Sequence, residues 1–222
     1  MSVAIVIPCL NEAATVGPLV GALRGYGRVI VVDDGSTDRT GMLAEMAGAT
    51  VVRHESPLGI GPSIRDGWLE ALDAERVVVL DAGGSHCPGD LGRLLSTQAD
   101  VVIGSRFVRG GQYLGGRWWR KAGSRLAAAV CNVGQRGPWL RDWTSGYRVY
   151  SRRAVEALLG RRQHAEMHSW QIEVLGLARE MGLTVREAPI TYQAGRSSLR
   201  LMVVVEAIRT WLELVHHRGP AR

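Results

Sequence analysis

Short apolar runs dominated by valine and isoleucine, each followed by a helical pattern, set the fold of the first hundred residues. Val3–Pro8, Val29–Val32 and Val77–Leu80 are apolar throughout, and Thr50–Arg53 and Asp100–Gly104 read as two further strands. Thr15–Arg24, Thr37–Ala47, Ile60–Leu72 and Pro88–Ser96 carry helical spacing between them. A strand with no polar face must be covered on both sides. The pattern therefore predicts an α/β chain whose mainly parallel sheet is flanked by helices on both faces. Such sheets bind ligands beyond the carboxyl ends of their strands, so the polar residues that follow each run are the candidate site.

The second half reads differently. Residues 106–137 are rich in Gly, Arg and Trp, with a helix predicted over Lys121–Val133. Asp142–Tyr150 reads as a turn and a strand, Arg152–Leu159 and Ser169–Met181 as helices, Val185–Tyr192 as a strand, and Leu199–His216 as an amphipathic helix. No internal repeat or low-complexity linker divides the chain. One domain over 1–222 is expected, with 1–103 as the half that binds a nucleotide and 104–222 as the half that binds an acceptor.

Charge and cysteine content narrow the classes of partner. The net charge is +6, and a basic balance of this size points to anions: nucleotide phosphates, a lipid phosphate, a membrane surface or nucleic acid. No RNA-binding aromatic motif or helix-turn-helix pattern accompanies the charge, so nucleic acid is not expected. Cys9, Cys87 and Cys131 have no metal-binding spacing and read as reduced thiols. The start, MSVAIVIPCLNE, has no basic leader region and reads as a first strand. The longest apolar stretch, Leu199–Val215, is interrupted by Arg200, Glu206, Arg209 and Glu213, so no spanning helix is expected. A cytoplasmic protein, able to sit at the cytoplasmic face of a membrane, is the resulting expectation.

Four strand-end segments carry the chemistry. Pro8-Cys9-Leu10-Asn11-Glu12 follows the first strand, and Asp33-Asp34-Gly35-Ser36-Thr37-Asp38 follows the second. A carboxylate there can accept hydrogen bonds from a base or a ribose, while Ser36 or Thr37 can cap the next helix. Asp81-Ala82-Gly83-Gly84-Ser85-His86 follows the fourth. Gly104-Ser105-Arg106-Phe107, Gly110-Gly111 and Arg117-Trp118-Trp119-Arg120-Lys121-Ala122-Gly123-Ser124 follow the fifth. Guanidinium forks match phosphate oxygens, and tryptophans among arginines suit a membrane interface.

Taken together and in this order, these segments resemble the inverting GT-A glycosyltransferases, and in particular the dolichyl- and polyprenyl-phosphate mannosyltransferase group. P-x-x-N-E and DDGS-x-D are matched at the first two strand ends. G-S-R-[FY]-x-x-G-G, R-K-x-x-S and D-x-x-S-G-[FY]-R are matched further on, the last by Asp142–Arg148. The resemblance implies transfer of a sugar, with inversion, from a GDP- or UDP-sugar to a polyprenyl phosphate. Pro8, Leu10, Glu12 and Asp34 would line the nucleoside pocket, and Asp81 and Ala82 would meet the donor. Arg106, Arg120, Ser124 and Arg148 would hold the acceptor phosphate. Asp81, Arg120 and Asp142 would serve the reaction, Asp142 by positioning the acceptor or contacting the donor before acting as a base, because a phosphate acceptor is already ionised and needs no strong base.

Two departures stand out. The group's D-x-D motif binds Mg2+ or Mn2+ through two carboxylates. Here Asp81 is kept and Gly83 replaces the second. Near the end, Gly195–Leu199 resembles a G-x-S-K-L loop with Ser198 in place of the lysine, leaving Arg196 or Arg200 to supply charge to the diphosphate. Glu173 matches a late [FY]-x-x-E-[IL] pattern loosely. Two other activities remain open: transfer to the hydroxyl of a soluble small molecule, and a nucleotide-binding partner subunit of low activity.

Overall fold

The computed structural model describes residues 1–133, 135, 137–161, 163 and 169–194. The region expected to form a terminal helix, Leu199–His216, and the loop carrying Arg196 and Ser198 lie outside the described residues.

A seven-stranded sheet runs through the described chain. Its strands are β1 (Val3–Cys9), β2 (Arg28–Asp33), β3 (Thr50–Arg53), β4 (Arg76–Val79), β5 (Val101–Ser105), β7 (Arg148–Ser151) and β8 (Val185–Pro189), in the order β3-β2-β1-β4-β7-β5-β8. All neighbours are parallel except β7, which runs antiparallel between β4 and β5. Strand β7 thus carries Asp142–Tyr147, the segment just before it, back to the edge where the other strands end.

Alternation along each strand builds two cores. Ala4, Val6, Ile30, Val32, Val77 and Val79 face one side, where α3 (Ile60–Glu70), α5 (Trp118–Asn132), α6 (Arg152–Leu159) and α7 (Trp170–Glu180) pack. Ile5, Ile7, Val29, Val31, Val78 and Leu80 face the other, under α1 (Val16–Leu23), α2 (Thr40–Met46) and α4 (Leu91–Ser96). Such double burial is the reason the runs read as unbroken apolar sequence. Trp68 stands 5.0 Å from Tyr150 and 5.4 Å from Trp170, ring centre to ring centre, tying α3, β7 and α7 together. All three cysteines are free; burial pushes the Cys131 thiol up to about 12.

Two expectations change. The strand expected over Val185–Tyr192 is two strands in two sheets: β8 ends at Pro189, and β9 (Thr191–Gln193) pairs instead with β6 (Gln112–Leu114), a short strand the sequence did not reveal. Pro189 has no N–H to extend the ladder. Just beyond it, Thr191 N donates to Asp90 Oδ2 at 2.7 Å and turns the chain. The helix expected from Lys121 begins three residues earlier, at Trp118, without a side-chain cap. Among the described residues, no helix is long and apolar enough to cross a membrane.

Candidate active site

The first two strand-end loops are bolted to each other. Asp34 N donates to Cys9 O (2.8 Å) and Asn11 N to Ser36 Oγ (2.9 Å). Thr37 N donates to Asn11 Oδ1 (2.9 Å), and Glu12 N donates to Thr40 Oγ1 (2.8 Å). Asn11 takes a left-handed backbone, φ 57°, which asparagine tolerates better than most residues. The N-E and S-T pairs of the two motifs are therefore one hydrogen-bonded unit. Glu12 reaches into it with Oε2 accepting from Thr15 Oγ1 at 2.9 Å, while Leu10 is exposed beside it.

Asp34, expected to face a nucleoside, is 5% exposed and organises a third loop. Its Oδ1 accepts from Leu58 N (2.8 Å) and lies 2.8 Å from His54 Nδ1; its Oδ2 accepts from Gly59 N at 2.9 Å. His54 Nε2 lies 3.0 Å from Asp66 Oδ2 on α3. The carboxylate thus holds residues 54–59 against the end of β2. The loop comes so close that a Cβ on Gly35, already at φ +77°, would sit 2.9 Å from the Ser56 carbonyl carbon. Asp34 thus shapes the pocket with three of its acceptor directions, two on Oδ1 and one on Oδ2.

At the end of β4, Asp81 keeps a 43% exposed side chain, and Ala82 is buried beneath it. His86 Nε2 approaches Asp81 Oδ2 at 3.3 Å. The His86 ring is buried between Tyr147 (5.1 Å) and Tyr192 (5.4 Å). Gly146 of the Asp142–Arg148 segment lies against the same carboxylate: a Cβ there would stand 3.1 Å from Asp81 Oδ1. In the sequence that glycine stands out only as part of a motif. Its closeness to Asp81 gives the requirement for glycine a physical cause. Gly83 sits beside Glu12, whose Oε1 would be 3.5 Å from an added Cβ, an ordinary contact.

Among the described residues, no three His, Cys, Asp or Glu side chains are arranged to hold a metal. With Gly83 in the second place, the residues present do not fit a D-x-D pair.

The arginines expected to meet an acceptor phosphate are placed in three ways. Arg106 is buried in an ion pair with Asp142. Its backbone N (3.0 Å) and Nε (2.7 Å) donate to Oδ2, and Nη2 donates to Oδ1 and to Thr144 Oγ1, both at 2.6 Å. Phe107, Tyr113 and Tyr192 surround the guanidinium with ring centres 5.1–5.7 Å from Cζ. Burial alone would lower its pKa, but the Asp142 charge and hydrogen bonds outweigh this and leave it raised. Arg148 is 1% exposed and donates to the carbonyls of Ser145, Gln171 and Trp143 at 2.7–2.9 Å. Expected as an acceptor ligand, it instead clamps the loop before β7 to α7. Arg120 and Ser124, one turn apart on α5, are half-buried, with Arg120 Cζ 5.4 Å from the Trp119 ring.

Asp142 is fully buried, and both of its oxygens are engaged. Glu187 on β8 supports it from behind, accepting Arg141 N (2.8 Å) and Asp142 N (2.9 Å). Burial first, and the Asp142 charge with it, raise the Glu187 pKa against these hydrogen bonds. Glu173 is buried in the first turn of α7. The structure thus brings the ends of β1, β2 and β4 together with Gly146. It keeps Arg148 out of that cleft.

Comparison with known proteins agrees with this geometry. Residues 4–159 match the family model described as glycosyl transferase family 2. A polyprenol monophosphomannose synthase of Mycolicibacterium smegmatis is 34% identical over an alignment of 202 positions that covers 85% of this chain and 76% of that protein. An undecaprenyl-phosphate mannosyltransferase of Micrococcus luteus is 31% identical over an alignment of 223 positions that covers 94% of this chain and 91% of that protein. The glucosyl-3-phosphoglycerate synthase of Mycobacterium tuberculosis, solved with Mn2+, uridine-diphosphate-glucose and phosphoglyceric acid, superposes with a TM-score of 0.72. That match has 22% identity and covers 97% of this chain and 80% of the other, a likeness of fold.

Proposed function

This chain belongs to glycosyl transferase family 2 and has its GT-A fold, and from that premise we propose that it transfers a sugar from a nucleotide sugar to a polyprenyl phosphate. The enzyme is an inverting glycosyltransferase. An acceptor oxygen attacks the anomeric carbon from the face opposite the diphosphate. The new C–O bond forms as the bond to the β-phosphate oxygen breaks, and the nucleoside diphosphate leaves. The observation that carries the acceptor is the identity, over most of the chain, to two relatives named for polyprenyl-phosphate mannose transfer.

The residues divide by half, 1–103 for the donor and 104–222 for the acceptor. Pro8, Leu10, Glu12 and the loop held by Asp34 form the nucleoside pocket. Asp81 and Ala82 face the donor's sugar and diphosphate. Arg120 and Ser124 meet the acceptor phosphate, with Arg196, outside the described residues, as a further charge for the diphosphate. Arg106 and Asp142 act one layer back, fixing Thr144 and the turn to Gly146, which abuts Asp81. Structural neighbours solved with Mn2+ and a uridine nucleotide support a divalent cation in the fold generally. Here a cation would take most of its ligands from the diphosphate, and no step of this proposal passes through one.

A second reading has an observation of its own. The neighbour's acceptor is phosphoglyceric acid, a soluble molecule, so transfer to a small hydroxyl acceptor is the alternative. A donor and acceptor screen separates the two. Purified protein would be offered GDP- and UDP-sugars with a short-chain polyprenyl phosphate or with phosphoglycerate, and nucleoside diphosphate release would be followed. Arg120→Ala should abolish most lipid-phosphate transfer with nucleotide affinity intact, and Arg120→Lys should restore only part, because a point charge does not reproduce the guanidinium fork. Turnover with phosphoglycerate alone would install the second reading, and none with any pair would leave a partner subunit.

A further inference from the structure

The outward face of α5 is its apolar face. Trp118, Ala122, Leu126 and Val133, spaced by one turn or two along the helix and its end, are exposed, Trp118 at 80% and Leu126 at 61%. Trp119 joins them at 42%, and Leu114 of β6 at the same value. The residues that α5 buries are small or polar: Ala127, Ala128, Cys131 and Asn132. A helix of a water-surrounded domain normally shows the opposite arrangement. Scattered exposed leucines need no account, but a continuous helical stripe with two tryptophans does.

Charge identifies what covers it. Between Asp100 and Asp142 there is no acidic residue, and that stretch holds seven arginines and one lysine. Taking those eight from the chain's 27 basic residues leaves 19 against 21 acidic ones, so the rest of the protein carries −2 while this segment carries +8. The net basicity is local. Lys121 and Arg125 lie beside the stripe on α5, and Arg117 immediately precedes it. Apolar and indole side chains bordered by cations are the chemistry of a helix lying in the headgroup layer of an anionic bilayer.

We propose that α5 docks this enzyme flat on an anionic lipid surface, with Trp118, Trp119 and Leu126 inserted and Arg117, Lys121 and Arg125 at the headgroups. The inference deepens the polyprenyl phosphate reading. Arg120 and Ser124 are on the same helix, so docking would set the acceptor's phosphate at the level where they wait and leave its chain in the bilayer. Docking itself needs neither donor nor acceptor, which lets the two ideas fail separately.

The test is sedimentation of the full chain with vesicles of phosphatidylcholine alone or mixed with phosphatidylglycerol. The protein should bind the mixed vesicles, release as salt rises, and bind pure phosphatidylcholine far more weakly. Lys121→Ser and Arg125→Ser should each lower the partition coefficient about fivefold, the effect of one basic residue near such a surface. Trp118→Ser with Leu126→Ser should remove binding at least as strongly. That double variant should keep its rate on a short, water-soluble polyprenyl phosphate, which needs no bilayer. Absence of binding to anionic vesicles, or binding that the double variant retains, overturns the proposal. A dimer in light scattering that the double variant dissolves, with no vesicle binding, gives this face to a second copy. If vesicle binding behaves as expected but no polyprenyl phosphate is used, docking stands and the acceptor assignment falls.

Discussion

Replacing Asp142 with asparagine separates a buried support from a catalytic base. In the structure the Asp142 carboxylate is wholly inaccessible, and Arg106, its partner, has a side chain only 7% exposed. Asparagine keeps the shape but removes the charge and places an amide against donors that need an acceptor. The guanidinium then stays buried without a counter-ion, because Phe107, Tyr113 and Tyr192 offer it only ring faces. Breaking a buried pair by one partner costs about 3–5 kcal/mol. For a chain of this size each kcal/mol moves the melting temperature by about 2–4 °C, so Asp142→Asn should melt roughly 6–20 °C lower. Replacing both partners with apolar residues, Arg106→Met with Asp142→Leu, should recover much of that loss, since no charge is then stranded. Calorimetry or circular-dichroism melting reads both. A carboxylate kept as a solvent-facing base would give the opposite result: Asp142→Asn melting within a degree or two of the parent, with turnover lost. That result would refute the support role and make Asp142 the base for a hydroxyl acceptor.

Other outcomes follow from the same geometry. Asp34→Ala removes the acceptor for Leu58 N, Gly59 N and His54, so nucleotide affinity measured by titration calorimetry should weaken by about 1–3 kcal/mol; unchanged affinity in a folded variant would remove Asp34 from the pocket. Gly83→Asp should be accommodated, because Gly83 has no left-handed φ and its nearest neighbour is Glu12 Oε1 at 3.5 Å. The variant should bind Mn2+ without nucleotide, where the parent binds it only with a nucleoside diphosphate, and tight Mn2+ binding by the nucleotide-free parent would count against the missing carboxylate. Glu187 has a pKa raised from 4.5 by burial, so the folded state holds its proton more tightly than the unfolded state. Its contribution is present below pH 4.5 and is lost as pH rises through the raised value. Urea unfolding across that window should show this falling term in the parent and its absence in Glu187→Gln; identical pH slopes would discount it.

The layered fold was legible because strands covered on both faces must be apolar on both faces, and Val3–Pro8, Val29–Val32 and Val77–Leu80 state that directly. What failed was local. Sheet membership changes at Pro189, and a sequence shows a proline but not which edge the chain will join next. Strand β6 is three residues long with a polar start, below any periodic signal. In the site, the first two motifs were read as helix caps and ligands. The structure shows Asn11 engaged with Ser36 and Thr37, and Thr40 with Glu12 N and Asp38. Position 146 could have been flagged by its glycine, but only three dimensions reveal that Asp81 stands where a side chain would go.

Arginines show most sharply where residue type stops being informative. Arg106, Arg120 and Arg148 fall in matching motifs of one resemblance, and each guanidinium is chemically suited to phosphate. Burial sorts them. Arg148 faces carbonyls that only a donor-rich group could satisfy, and Arg106 faces a carboxylate that would otherwise be stranded, so both are required by the protein before any substrate arrives. On the proposed reading the acceptor phosphate would meet basic groups near the surface, and the sequence concentrates these on and around α5. The same segment carries the exposed tryptophans. A phosphate attached to a long apolar chain is a ligand that needs both at once: cations for its head and an apolar surface that leads away from it. For a small soluble acceptor the stripe from Trp118 to Val133 would have no use, and the exposure of that stripe is the physical reason to prefer the lipid.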